Sequence, residues 1–163
     1  DVARLRSGHL DLVWQEVDLG EVLRFVRDRF VGEFSRAERE YVVDVPAGIT
    51  GHWDRSRLEQ VMTNLVANSL RHAPGSRVAI RAWQQDDSAF VEVSDTGPGI
   101  PTHLEKDLFE PFKPAADSRH GLGLGLWISR EIARSLGGDL SAAGHPGDGA
   151  HLLLTLPLRA AHA

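Results

Sequence analysis

Phe90-Val91-Glu92-Val93-Ser94-Asp95-Thr96-Gly97-Pro98-Gly99-Ile100 reads as a strand delivered into a sharp turn. Val91 and Val93 alternate with Glu92 and Ser94, the period of an extended segment, and Gly-Pro-Gly ends it. Asp95 stands at the mouth of that strand. An ionised carboxylate only accepts hydrogen bonds, so it suits the exocyclic amino group of a flat ligand met edge-on. Gly97 and Gly99 would let backbone and ligand approach closely. The same residues also make a serviceable hairpin turn, so the surroundings must decide.

Working outward, residues 77–83 and 89–94 alternate as two strands joined through 84–88, a hairpin pattern. Upstream, Asp54 is placed as the N-cap of a helix over about 55–72 with Leu58, Val61, Met62, Leu65 and Ser69 as its small or apolar stripe. At about 100° per residue, Asn64, Asn68 and Arg71 share a flank of that stripe. Ala73-Pro74-Gly75-Ser76 ends the helix. Further upstream, Asp18 and Glu21 resemble a capping box for a helix over about 19–36, with Leu19, Val22, Leu23, Val26 and Phe30 at helical spacing. Short strands are expected over 41–45 and 49–52, and residues 1–12 read as the end of a helix stopped near Gly8.

Downstream of the Asp95 turn, residues 102–109 read as a short helix, followed by a Pro- and Gly-marked loop to His120. Gly121-Leu122-Gly123-Leu124-Gly125-Leu126 opens a helix carrying Leu124, Ile128, Ile132 and Leu136, stopped by Gly137-Gly138. Residues 139–143 and 151–156 would close the fold as a hairpin. The simplest arrangement is an α/β (α+β) two-layer sandwich: one mixed, mostly antiparallel sheet covered on one face by three helices.

Composition excludes several classes of function. A length of 163 residues fits one domain able to bury a core. A net charge of -5 argues against a nucleic-acid surface, which shows a basic footprint. With no cysteine there are no disulfides, thiol catalysis or thiolate metal sites, and a cytosolic location is expected. No apolar run approaches the roughly 20 residues of a membrane span. The first residues are charged, unlike a signal peptide. The chain opens without Met, as a piece of a longer protein would.

Three constellations carry chemistry. Asn is a poor helix-interior residue, so Asn64 and Asn68 on one flank ask for a reason. A carboxamide oxygen is a neutral hard ligand fit for Mg²⁺, and Arg71 and His72 could then reach phosphates; the plainer reading is two satisfied polar groups at the core edge. Gly121, Gly123 and Gly125 would each cost a helix interior roughly 1 kcal/mol relative to Ala. They make sense if backbone N–H groups and the positive helix end touch an anion. A dinucleotide fingerprint would need GxGxxG directly after a strand, which this run lacks. Phe109-Glu110-Pro111-Phe112 reads as packing that anchors a flexible segment from Lys113 to His120, which could close over a nucleotide with Lys113 and Arg119 on phosphates. The remaining histidines show no metal-ligand spacing with one another, and the four tryptophans read as packing.

The order of these segments is more specific than any one of them. Asn64-Leu65-Val66-Ala67-Asn68-Ser69-Leu70-Arg71-His72, Asp95-Thr96-Gly97-Pro98-Gly99-Ile100, Phe109-Glu110-Pro111-Phe112 and Gly121-Leu122-Gly123-Leu124-Gly125-Leu126 closely resemble the asparagine, first glycine, phenylalanine and second glycine boxes of sensor histidine kinases. The resemblance covers residues 17–158 as an ATP-binding catalytic domain with a flexible ATP lid. Residues 1–16 resemble the tail of the preceding dimerisation helix with its linker, and 159–163 form a C-terminal tail.

The resemblance implies that Asn68, supported by Asn64, coordinates Mg²⁺, and that Asp95 receives the adenine amino group in a pocket shaped by Gly97, Gly99 and Ile100. It further implies that Gly121, Leu122, Gly123, Leu124 and Gly125 line the phosphates and hinge the lid, with Arg71, His72 and Lys113 in the nucleotide-binding set. Three positions depart from the family pattern and bear on lid packing: Ser69 for Ala, Leu122 for a small Thr or Ser, and Trp127 for Ala. Hydrolytic relatives carry a Glu where this chain has Asn64. An amide takes no proton at neutral pH, so transfer to a strong nucleophile is expected rather than hydrolysis. In the family that nucleophile is a His on the dimerisation helix; no His-Glu-Leu-Arg-Thr-Pro-like segment occurs here. Glu59 and Glu110 are candidates to orient or deprotonate it. The expected partners are that dimerisation domain and a response-regulator receiver, without nucleic acid or membrane contact by this domain, although the parent protein could be attached to the inner membrane. An anti-sigma serine kinase and a protein-binding module without chemistry are the competing readings.

Overall fold

A computed structural model of the chain describes residues 3–4, 7–8, 10–73, 75–101, 104–105, 107–111, 125–143 and 148–159. Strand β1 (Gln15–Asp18) leads into helix α1 (Leu19–Arg36). Strands β2 (Tyr41–Asp44) and β3 (Thr50–Trp53) precede helix α2 (Arg55–His72). Strands β4 (Val78–Gln85) and β5 (Ser88–Asp95) follow, then helix α3 (Gly125–Ser135) and strands β6 (Asp139–Ala143) and β7 (His151–Pro157). The main sheet has five strands in the order β2-β4-β5-β7-β6, with β2 and β4 parallel and every other pair antiparallel. A separate ribbon pairs β1 with β3.

The helices begin and end where local chemistry dictates. Asp18 caps α1 by accepting the Glu21 N–H, and Asp54 caps α2 by accepting the Arg57 N–H; each such cap stabilises its helix by about 1 kcal/mol. Asp54 also accepts the Val13 N–H at 2.9 Å, which ties the segment entering β1 to the start of α2. Helix α3 ends in a Schellman turn, with Gly138 N–H on Ala133 O, Gly137 N–H on Arg134 O and Gly137 at φ +90°.

One face of the sheet is sealed by the helices. Val78, Ile80 and Ala82 of β4, Val91 and Val93 of β5, and Leu152, Leu154 and Leu156 of β7 are buried, while their alternating neighbours are not. They meet Leu19, Val22, Leu23, Val26 and Phe30 of α1, Leu58, Met62 and Leu65 of α2, and Ile132 of α3 in a single cluster. Each such side chain contributes about 1.5–3 kcal/mol on burial.

The structure departs from the sequence reading in three places. The β4–β5 hairpin is tighter than the 84–88 loop, because Gln85 pairs with Ser88 and Asp86 takes φ +54°. Strand β1 lacks an apolar alternation and forms because β3 offers it an edge. The described part of 102–109 makes successive i→i+3 turns, Leu104 N–H to Pro101 O and Asp107 N–H to Leu104 O, in place of an α-helix. The turn joining β6 to β7 includes residues 144–147, outside the described set.

Glu38 sits at φ +52° just beyond α1, a left-handed conformation that costs a residue with a Cβ about 1–2 kcal/mol. Replacing Glu38 with Gly should stabilise the fold by about 0.5–1 kcal/mol after the added freedom of the unfolded chain is subtracted, raising the thermal midpoint by roughly 2–4 °C. A lowered midpoint in calorimetry would show that the Glu38 side chain recovers that cost locally.

Candidate functional site

Asp95 ends β5 on the helix-covered face, in phase with Val91 and Val93, and only 8% of it is exposed. A buried carboxylate needs partners, and the backbone supplies them to one oxygen. Oδ1 accepts the N–H of Gly97 at 3.0 Å and of Ala150 at 3.3 Å, while the Asp95 N–H donates to Ala150 O at 3.0 Å. Oδ2 has no hydrogen bond among the described residues and is not among the sealed polar atoms. The group is thus fixed in direction, with one acceptor oxygen uncommitted among the described residues.

The turn after Asp95 is strapped to the sheet. Thr96 N–H donates to Arg77 O at 3.1 Å, and Thr96 Oγ1 accepts the Arg77 N–H at 2.9 Å. Gly97 must be glycine, because a Cβ there would lie 2.6 Å from the Ala73 Cβ at the exit of α2. Gly99 takes φ +83°, and Ile100 is buried.

Above this turn runs α2. Asn64 and Asn68 are half-buried and one turn apart. Asn64 Nδ2 donates to Ser129 Oγ at 3.3 Å and to Gly125 O at 3.5 Å. A carbonyl can only accept, so these partners fix the amide with its oxygen turned away from them. The Asn68 side chain has no hydrogen bond among the described residues. Among the described residues nothing donates to either carboxamide oxygen, and the two together make a neutral, hard donor set on one flank that fits Mg²⁺. Among the described residues no group of three or more His, Asp or Glu side chains could hold a metal. Arg71 and His72 lie exposed on the last turn. Partial burial, then the neighbouring Arg71 charge, lowers the His72 pKa below 6.5 against the opposing pull of Asp95. The shift favours the neutral imidazole, which can donate a hydrogen bond.

The structure brings the asparagine flank, the Asp95 turn and the first turn of α3 together. Lys113, Arg119, Phe112 and Gly121, Leu122, Gly123 and Leu124 lie outside the described residues. Phe109 packs against the core with the Arg130 guanidinium 5.1 Å from its ring centroid, and Arg130 is paired with Asp139 at 3.0 Å. Glu59 is held by Arg55, which also reaches Glu21, both at 3.1 Å; Glu110 is exposed. Sequence reasoning missed Ser129, Gly149 and Ala150. None belongs to a recognisable box, and only the turn-rich composition around Gly149 could have drawn notice. A Cβ on Gly149, at φ +75°, would fall on the Asp95 carbonyl oxygen, at 1.8 Å.

Residues 53–160 match the family of histidine kinase-, DNA gyrase B- and HSP90-like ATPases. Over 145 residues, 89% of this chain, it is 36% identical to the sensor protein TorS of Escherichia coli, and over 167 residues, 99% of the chain, it is 36% identical to the sensor histidine kinase MtrB of Mycobacterium tuberculosis. It spans only 16% and 30% of those two proteins. The catalytic domain of histidine kinase ThkA superposes with a TM-score of 0.83 at 24% identity, covering 91% of this chain and 97% of that one. The mycobacterial sensor histidine kinase MprB gives 0.79 at 30% identity over 89% and 99%, and full-length ShkA in complex with AMPPNP gives 0.83 at 26% over 95% and 33%. The two-layer fold is that of histidine kinase catalytic domains, and the chain belongs to this ATPase family.

The glycines separate by role. Gly149→Ala should destabilise by at least about 2 kcal/mol, through a backbone clash and a left-handed φ together. Gly125→Ala, with nothing within 4 Å of the new Cβ, should be neutral or stabilising by up to about 1 kcal/mol. Thermal denaturation of both variants checks the contrast, which equal losses would contradict.

Proposed function

We propose that this chain is the ATP-binding catalytic domain of a sensor histidine kinase. It binds Mg²⁺-ATP and transfers the γ-phosphoryl group to a His on a dimerisation domain, for relay to an Asp of a response regulator. The observation that carries the reading is Asp95: a carboxylate aimed by two backbone N–H groups at a glycine turn, with one oxygen left over among the described residues. That oxygen would accept an N–H of the adenine amino group. The relation to ShkA, a structure in complex with AMPPNP, and to named sensor kinases supports the same assignment.

The chain's own groups then have distinct tasks. Asn64 and Asn68 would hold the cation through their amide oxygens, Asn64 oriented by Ser129. Mg²⁺, when bound, supplies charge neutralisation to the triphosphate. Gly97, Gly99 and Ile100 would shape the base pocket. Gly121, Leu122, Gly123, Leu124 and Gly125 would line the phosphates, with Arg71 and Lys113 adding positive charge and His72 a hydrogen bond. Asn64 cannot accept a proton from water, so the bound nucleotide is spared hydrolysis until an imidazole nitrogen approaches in line. The N–P bond then forms as the bond to the β,γ-bridging oxygen breaks, and ADP departs. Glu59 and Glu110 remain the candidates to orient that imidazole. The domain would work on the cytoplasmic side of the parent protein.

Titration calorimetry with a non-hydrolysable ATP analogue and Mg²⁺ tests this directly. In Asp95→Asn, Oδ1 keeps both backbone bonds, so the fold stays intact, but an NH₂ group faces the adenine NH₂. Affinity should fall about 100-fold, a lost charged hydrogen bond plus an unpaired donor. Wild type mixed with a dimerisation domain and ATP should yield acid-labile phosphohistidine. Unchanged affinity in the variant would remove Asp95 from the pocket, and acid-stable phosphoserine on a partner would make the chain a serine kinase.

A further inference from the structure

We propose that Arg39, between α1 and β2, is a positioning residue for the base end of the nucleotide site, setting through Ala73 and Gly97 where the Asp95 carboxylate points. This rests on the reading of Asp95 as the group that receives adenine.

Arg39 spreads its guanidinium over the exit of α2. Nε donates to Ser76 O at 2.9 Å, Nη2 to Ala73 O at 2.7 Å and Ser76 Oγ at 3.3 Å, and Nη1 approaches Leu70 O at 3.5 Å. The end of a helix leaves carbonyls without intrahelical partners and carries partial negative charge, so a cation with a rigid, many-donor fork suits it. The ring of Phe34 lies 5.3 Å below the guanidinium carbon. The backbone delivers Arg39 there at a cost: Arg39 N–H closes onto Phe34 O at 2.9 Å, and the residue before it, Glu38, is held at φ +52°.

The exit of α2 is in turn a wall of the base pocket. Ala73 is buried, and its Cβ and Cα stand 2.6 Å and 3.2 Å from where a Gly97 Cβ would be. Ala73 thus packs directly on the Gly97 backbone, with no room for a side chain between them. The Gly97 N–H is one of the two donors that aim Asp95 Oδ1. A shift of Ala73 therefore becomes a shift of the carboxylate. The phosphates, by contrast, would be met by the asparagine flank, and the hydrogen bonds that Arg39 makes to described residues go to Leu70, Ala73 and Ser76, not to Asn64 or Asn68. Losing the clamp should blunt discrimination at position 6 of the purine, amino against carbonyl, more than it weakens triphosphate binding.

The test is a ratio of affinities. The chain is titrated, with Mg²⁺, with a non-hydrolysable ATP analogue and with its inosine counterpart. Wild type should prefer adenine by about 100-fold or more, as a site built around a hydrogen bond rejects the analogue that cannot make it. Arg39→Lys, which keeps the charge but not the fork, should cut that preference at least about tenfold. Ala73→Gly, which leaves Arg39 in place and removes the methyl that abuts Gly97, should do the same and covers the case in which the Arg39 variant fails to fold. Val17→Ala, a core change under β1, should lower the thermal midpoint and leave the ratio untouched. If Arg39→Lys or Ala73→Gly folds and loses stability but keeps the wild-type ratio, Arg39 is structural only and the proposal falls while the Asp95 reading stands. If wild type binds neither nucleotide, or binds both equally, the reading of Asp95 fails and the proposal fails with it.

Discussion

A carboxylate with one satisfied oxygen is the constraint around which this molecule is arranged. Burying Asp95 is tolerable because Gly97 and Ala150 each point an N–H at Oδ1. That demand fixes much else. The Asp95 turn can close only over a glycine, since Ala73 stands in the way of a Cβ at 97. Strand β7 must run beside β5, with Gly149 pressed on the Asp95 carbonyl, so that Ala150 can supply the second donor. Helix α2 must stop at His72, with Ala73 as the wall of the turn. Under the proposed function, Oδ2, which has no hydrogen bond among the described residues, is what this arrangement would present to a ligand.

The chemistry follows from what is missing as much as from what is present. The flank of α2 that faces the start of α3 offers amide oxygens, not carboxylates, so it suits a cation without offering a base. Ser129, fully buried, accepts from the Asn64 Nδ2 and so orients that amide. A domain so equipped would hold a nucleotide ready and leave the nucleophile to another domain, in keeping with relatives several times the length of this chain.

Much of this was legible in the sequence because the relevant signals are local. Asp18 and Asp54 announce helix starts, the apolar spacing of Leu58, Val61, Met62 and Leu65 sets the buried face of α2, and alternation marks β4, β5 and β7. The parts that escaped depend on pairing across long separations. Strand β1 exists because of β3, and the hydrogen-bond partners of Asp95 and Asn64 come from Ala150 and Ser129, 55 and 65 residues away. Arg39 likewise reads as an ordinary surface cation until α2 ends beside it. The Asp86 turn escaped because two residues suffice once one of them accepts a left-handed φ.

The central claim is that the pocket between the Asp95 turn and the asparagine flank receives the nucleotide. Its most direct test is an amide nitrogen–proton NMR titration of the chain with Mg²⁺ and a non-hydrolysable ATP analogue. The Gly97 and Ala150 backbone signals and the side-chain NH₂ signals of Asn64 and Asn68 should move together and saturate at one nucleotide per chain, while the indole of Trp83, on the open face of the sheet, stays in place. Saturating shifts confined to the open face, with those four groups unmoved, would contradict the account.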